Sequence, residues 1–214
     1  ELEGRPILQR TIENFIAAIP GINIITVLPK EHIDTWRELC IKMDFFYPQR
    51  LVVGGITRFH SVKNALLHVP DGGIVAIQDG VRPLGSISLI QRLFAEAEKQ
   101  VALIPVTPSI DTLKAVRSEV GDDGKRRLVS TGEPDPDRSL IWCAQTPQMF
   151  HSEIIKAAYG LPYETSFTDD ASVAAKFGTK IRYTEGERFN IKITTPEDLE
   201  LARLLLGTKI HQPL

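Results

Sequence analysis

Asp79 and Arg82 close the stretch "IVAIQDGVRPL", in which a run of apolar residues stops abruptly at an acid, a glycine, an arginine and a proline. A carboxylate at the end of a buried strand suits a divalent metal beside phosphates, because magnesium prefers hard oxygen ligands. Arg82, three residues on, is close enough in sequence to contact a phosphate on the same side. The plainer alternative is a turn salt bridge between the two, which is worth little on a surface. A second stretch, "VVGGITRFHSV", places Gly54 and Gly55 where a backbone can approach a ligand, with Arg58 and Ser61 near the start of a helix. A helix N-terminus with a nearby arginine favours anions, and the Ser61 hydroxyl is suited to reading the edge of a base. Equally, the two glycines make a tight turn and Arg58 is solvated.

Thr112 (with Lys114), Arg138, Thr146 and Lys192 lie at further element boundaries. Taken singly, each is an ordinary surface residue. Together with Arg58 and Arg82 they supply several phosphate-binding groups in a chain without a basic excess. Phosphoryl or nucleotidyl transfer uses such a set, since its catalysis rests on positioning and charge stabilisation.

Other chemistries find less support. Cys143 lies between Trp142 and Ala144 in an apolar stretch and is expected to be buried rather than nucleophilic. The five histidines are scattered without zinc-site spacing. Asp169 and Asp170 read as first-turn acids of a helix, with a role in fixing a nearby loop as the alternative. The formal net charge of -2 creates no positive field for nucleic acid or an acidic membrane, so anions must be held by a local basic cluster. No apolar run has the length of a membrane span. Two cysteines, Cys40 and Cys143, suggest neither a disulfide framework nor a zinc site, and a reducing cytoplasm is the expected location.

These residues need a scaffold that brings strand tips together. Pro6 to Ile19 reads as an amphipathic helix, with Ile7, Leu8, Ile12, Phe15, Ile16 and Ile19 on its apolar face. Short apolar strands ("NIITVLP", "QRLVVGG", "IVAIQ", "VALIPV") then alternate with helical stretches, one of them capped by Ser86 or Ser88. Strands separated by helices indicate a parallel sheet covered on both faces, which binds ligands at the carboxyl ends of its strands. With 214 residues of average globular composition, a single domain over 1–214 is expected. The chain opens on "ELEGRPILQR" without an initiator Met, so it is expected to belong to a longer polypeptide.

From about 109 to 139 the pattern changes. This polar, turn-rich segment contains "RRLVS", which suits a hairpin, and so long an excursion is expected to be either mobile or packed against something, an arm reaching a second subunit being one solution. Beyond it, "LIWCAQTPQMF" returns to the core. "HSEIIKAAYG" reads as a helix, and Thr168 is the expected N-cap of the next one. "KIRYTEG" is a strand, and "TTPEDLELARLLLG" a final helix opened by Thr and Pro.

Several of these stretches, in order, resemble the 2-C-methyl-D-erythritol 4-phosphate cytidylyltransferase family: "LEGRPILQRTIENF", "VVGGITRFHSV", "QDGVRP", "DTLK", "AQTPQMF", "TDDASV" and "NIKITTPEDL". The resemblance implies an α/β, Rossmann-like nucleotidyltransferase, with a mostly parallel sheet covered by helices on both faces and a protruding β-arm over about 109–139 that joins a homodimer. It implies that CTP and a sugar-alcohol phosphate react, with magnesium, to a CDP-alcohol and pyrophosphate. The CTP end would comprise Gly54, Gly55, Arg58, Ser61, Asp79 and Gly80. Asp79 would sit by the metal and the reacting groups. Arg82, Thr112 and Arg138 would hold the substrate phosphate, the arm's residues acting across the dimer, while Thr146 and Lys192 line the acceptor pocket. Lys192 would also stabilise charge at the α-phosphate.

The chain departs from the family pattern at Gln78, where the family usually has His; an amide hydrogen-bonds but does not titrate. The family's opening strand and glycine-rich loop are not in this sequence. Two other readings stay open here: a ribitol 5-phosphate cytidylyltransferase, which shares most of these motifs, and a non-catalytic nucleotide or sugar-phosphate binding protein.

Overall fold

In the structure, a computed structural model, residues 1–207 are described; residues 208–214 of the expected domain lie outside the described residues. Helix α1 (Ile7–Ala18) buries Ile12, Phe15 and Ala18, as its apolar spacing requires. Strand β1 (Ile24–Leu28) and helix α2 (Ile33–Lys42) follow, and β1 pairs in parallel with β2 (Gln49–Val53). Helix α3 (Arg58–Leu66) is N-capped by Thr57, whose hydroxyl accepts from the His60 N–H.

The second sheet contains β3 (Ile74–Ile77), β4 (Ala102–Pro108), β7 (Trp142–Ala144), β8 (Gln148–His151) and β9 (Arg182–Glu185). Helix α4 (Ile87–Ala97) connects β3 to β4, with Ser86 as its cap, accepting from the Leu89 N–H at 2.9 Å. β8 lies between β3 and β4 and is antiparallel to both, while β9 is parallel to β4 and β7 antiparallel to it. The expected crossover logic therefore holds for β3 and β4, which run in the same direction, but the sheet is mixed. The reason is that β8 enters directly from the chain returning after the arm, without a crossover helix to reverse it.

Both faces of this sheet are covered. Ala102, Ile104 and Val106 of β4 face a core with Phe59, Phe150, Ile155, Tyr159 and Val173, from α3, β8, α5 (Ser152–Ala158) and α6 (Asp170–Lys176). Leu103 and Met149 point the other way onto Leu89, Leu93 and Ala97 of α4. This opposite facing is the period-two alternation of a strand. Each fully buried side chain of this kind, such as Leu93, stabilises the fold by about 1.5–3 kcal/mol.

The excursion is a hairpin of β5 (Val116–Val120) and β6 (Arg126–Ser130), whose base is closed by the Ser109 N–H donating to Ile141 O at 3.1 Å. Leu128 on it is 72% exposed, and Leu140, in the turn that returns from it, 76%. The final helix α7 (Pro196–Gly207) starts as expected, with the Thr195 hydroxyl accepting from the Asp198 N–H.

Two local expectations are corrected. The cap of α6 is Asp169 rather than Thr168: its carboxylate accepts from the Ser172 N–H, and the Ser172 side chain returns to the Asp169 N–H. Cys143 is exposed, because β7 pairs with the end of β4 at the root of the hairpin, beyond the covered part of the sheet.

Candidate functional site

The tip of β3 is held by backbone and amide bonds. The Arg82 N–H donates to Asp79 O at 3.1 Å and closes a turn, and Gln78 Nε2 donates to Arg82 O at 3.3 Å. Val81 O accepts from the Ile193 N–H at 2.9 Å, which draws the segment 190–193 alongside. The Asp79 N–H donates to the Thr146 hydroxyl at 3.0 Å. The Thr146–Pro147 peptide is cis.

Three cations converge on the Asp79 carboxylate. Arg82 Nε and Lys192 Nζ both lie 3.2 Å from Oδ2, and Arg58 Nε lies 3.9 Å from Oδ1. The Asp79 and Arg82 side chains are only 13% and 12% exposed, so this is not the solvated turn salt bridge of the plainer reading. Lys192 is 44% exposed, free on one side to meet a ligand. Arg82 Nη1 also donates to Asn190 O at 2.7 Å, and fully buried Asn190 donates from Nδ2 to Thr146 O at 2.9 Å. Asp79, Arg82, Thr146 and Lys192 therefore form one connected group.

Arg58 reaches this group from the start of α3, but its terminal nitrogens are engaged elsewhere. Nη1 and Nη2 donate to the two oxygens of Asp170 at 2.9 and 2.5 Å. Asp170 is completely buried and also accepts from the Tyr159 hydroxyl at 2.5 Å. Burial works against the Arg58 charge, yet the hydrogen bond and attraction of Asp170 outweigh it and push its pKa above the ordinary arginine value. Burial, then the Asp170 charge, push the Tyr159 phenol upward. Arg58, Arg82 and Lys192 thus gather three cations at the end of β3, a local concentration of positive charge suited to an anion.

The glycine loop is tightly built. The Gly54 N–H donates to Leu28 O at 2.8 Å and the Gly55 N–H to the Ser61 hydroxyl at 3.0 Å. A Cβ on Gly55 would stand 2.3 Å from His60 Cβ, so only glycine fits. Ser61 donates its hydroxyl to Thr57 O at 3.0 Å, so toward a ligand it offers a remaining lone pair rather than a proton. Gly80 O accepts from the Thr11 hydroxyl at 2.9 Å, which anchors the β3 tip to α1.

Thr112 and Arg138 do not join the Asp79 group within this chain. Both are exposed at the root of the hairpin, where Arg138 Nη1 donates to Ile110 O at 3.0 Å; Lys114 pairs with Asp135 at 2.5 Å. Conversely, the sequence does not single out Tyr159, Gln148 or Asn190, and Asp170 reads there as a first-turn helix acid or a residue fixing a nearby loop, not as the partner of Arg58. Polar residues at the edges of apolar stretches were the available signal. Gln148, 1% exposed, donates to Asp169 and accepts from the Ala171 N–H, locking the start of α6 to β8.

Among the described residues, no group of three or more His, Cys, Asp or Glu is arranged to hold a metal ion. Asp79 is instead a single carboxylate, whose Oδ1 Arg58 approaches only to 3.9 Å. A magnesium ion fits such a donor, because it commonly takes one or two carboxylates and completes its shell with phosphate oxygens and water.

The sequence and the fold match known proteins along nearly the whole chain. A protein from Bacteroides thetaiotaomicron named 2-C-methyl-D-erythritol 4-phosphate cytidylyltransferase is 40% identical over 203 residues, covering 95% of this chain and 87% of that protein. One of the same name from Porphyromonas gingivalis is 43% identical over 206 residues, 96% of this chain and 86% of that protein. The crystal structure of 4-diphosphocytidyl-2C-methyl-D-erythritol synthase from Anaerococcus prevotii superposes with a TM-score of 0.76 at 29% identity, covering 97% of this chain and 88% of that one. The 2-C-methyl-D-erythritol 4-phosphate cytidylyltransferase of Thermus thermophilus gives a TM-score of 0.71 at 26% identity, with 97% and 92% covered. The model of one family matches residues 1–208, and the chain belongs to that family, the 2-C-methyl-D-erythritol 4-phosphate cytidylyltransferases.

Proposed function

We propose that this chain transfers the cytidylyl group of CTP to 2-C-methyl-D-erythritol 4-phosphate, giving the CDP-alcohol and pyrophosphate. Besides family membership, the observation that carries the reading is the convergence of Arg82, Lys192 and Arg58 on Asp79 at the end of β3. A phosphate oxygen of the acceptor attacks the α-phosphorus of CTP; that P–O bond forms as the bond to the β-phosphate oxygen breaks. The nucleophile is already an anion at neutral pH, so no side chain has to remove a proton. The protein must instead bring two mutually repelling anions together, which explains its surplus of cationic groups.

In this reading Lys192 turns from Asp79 onto the α-phosphate and steadies its growing charge. Arg82, held by Asn190 O, faces the acceptor phosphate, and Thr146 lines the pocket while fixing the Asp79 backbone. Gly54, Gly55, Ser61 and Gly80 shape the nucleotide end. Asp79 would hold a magnesium ion, which supplies charge neutralisation at the phosphates when bound. The exposed apolar residues of the hairpin support a homodimer, in which Thr112 and Arg138 reach the partner's site. No helix among the described residues is long and apolar enough to cross a membrane.

The test is pyrophosphate release from CTP and magnesium with each candidate alcohol phosphate. Release is expected with 2-C-methyl-D-erythritol 4-phosphate. Release with ribitol 5-phosphate alone, or with neither, overturns the assignment.

A further inference from the structure

The three cations approach the Asp79 carboxylate to different distances. Oδ2 has Arg82 Nε and Lys192 Nζ at 3.2 Å, whereas Arg58 comes no nearer to the carboxylate than 3.9 Å, from Nε to Oδ1. Arg58 stands off because the fork of its guanidinium is bound to both oxygens of Asp170, at 2.9 and 2.5 Å. Asp170 is held in turn by a framework that does not touch Asp79. The Tyr159 hydroxyl donates to its Oδ1 at 2.5 Å, and Gln148 pins the neighbouring residues Asp169 and Ala171. Phe59, beside Arg58 in α3, stacks on Tyr159 with ring centroids 4.7 Å apart. Both ends of the Arg58–Asp170 pair are thus fixed by packing.

An unrestrained arginine beside a carboxylate closes on it, since the two-pronged charge-assisted pair is the strongest contact available to either. Released from Asp170, Arg58 has Asp79 as its neighbouring carboxylate. An oxygen covered by a guanidinium is lost to a metal ion. Asp170 also cancels one of three positive charges in the group, and so lowers the repulsion that an incoming divalent cation meets.

We propose that Asp170 is a positioning residue that holds Arg58 away from Asp79 and so keeps Asp79 Oδ1 open to the divalent cation. This rests on the reading of Asp79 as the carboxylate that faces the metal. Tyr159 assists by fixing the orientation of Asp170.

Mn²⁺ serves as the probe, titrated with saturating CTP and no acceptor, its protein-bound fraction read by water-proton relaxation, so that no turnover is involved. Asp170→Asn is expected to weaken Mn²⁺ binding about tenfold, as loss of a group supporting a metal ligand commonly does. Adding Arg58→Ala is expected to reverse that loss to within about twofold of Arg58→Ala alone, the coupling that a shared mechanism requires. Tyr159→Phe should give a smaller weakening, reversed in the same way. If the double variant Asp170→Asn with Arg58→Ala binds as weakly as Asp170→Asn, Asp170 merely supports the fold and the proposal is wrong. An unchanged affinity in Asp170→Asn overturns it equally. If circular dichroism shows that Asp170→Asn does not fold, Tyr159→Phe with and without Arg58→Ala decides by the same criterion. Asp79→Asn separates the two layers: unchanged Mn²⁺ affinity there removes the reading of Asp79 as metal ligand, whereas a loss there with Asp170→Asn unaffected removes this proposal alone.

Discussion

The Asp79 N–H donates to the Thr146 hydroxyl at 3.0 Å, joining the tip of β3 to a residue 67 positions further along the chain. Thr146→Val keeps the side-chain shape but leaves that partly buried N–H without a partner. It is expected to lower stability by about 1–3 kcal/mol in urea unfolding, the cost of an orphaned buried donor. Thr146→Ser retains the hydroxyl and should behave nearly as the parent. Equal stability of the Val and parent proteins would show that the bond contributes nothing.

Lys192 has one side toward Asp79 and the other toward solvent, so its removal should cost chemistry rather than folding. Lys192→Ala is expected to reduce turnover about 10²–10³-fold, the range for loss of one group stabilising transition-state charge. Steady-state pyrophosphate release checks this, with thermal unfolding as the control. Near-normal turnover would remove Lys192 from the mechanism.

Gly55→Ala forces a Cβ to 2.3 Å from His60 Cβ at the start of α3. Relief requires the helix start to move, at an expected stability loss of about 1–3 kcal/mol. Because Arg58 lies on that same turn, turnover should fall as well. A structure of the variant with Arg58 still on Asp170 and full activity would contradict this account.

The hairpin predictions concern assembly. Leu128→Glu on the hairpin and Leu140→Glu in the turn that returns from it place charges on two strongly exposed apolar positions. If the hairpin joins two copies, light scattering should show the parent as a dimer and the double variant as a monomer. Turnover should drop with dissociation, since Thr112 and Arg138 stand apart from Asp79 within one chain. A parent protein that is monomeric and fully active would rule out the dimer and the role of the arm in it.

Tyr159 links folding to alkaline pH. Its phenol is raised above its ordinary value by burial and then by the charge of Asp170, so the folded state favours the neutral form. The stabilising contribution is therefore complete below the unfolded tyrosine pKa of about 10 and declines as pH rises beyond it. Tyr159→Phe should show a shallower fall in unfolding temperature above about pH 10 than the parent does. Parallel curves would show that this phenol has no linkage to folding.

Much of the scaffold was legible because its signals are local. The spacing of Ile12 and Phe15 matches the buried face of α1, Ser86 caps α4 and Thr195 caps α7. The Asp79 position was legible for the same reason: an apolar strand that ends in an acid must present it at the sheet edge. Where the reading erred, a longer-range partner intervened. Thr168 and Asp169 are adjacent and both able to cap, and Gln148 on β8 is what selects Asp169 by binding its carboxylate. Cys143 sits in an apolar run, but its strand lies at the root of the hairpin, outside the covered sheet.

By itself, then, the sequence determined the elements, their order, and the set of charged and glycine residues delivered to the strand tips, since periodicity, caps and turn chemistry act within a few residues. Only the tertiary structure decided how those charges are divided. Arg58 looked equivalent to Arg82 on paper, yet one is bound to a buried carboxylate 112 positions away and the other lies against Asp79. That division depends on α6 and α5 packing beside α3, and no local pattern encodes which carboxylate a guanidinium meets first.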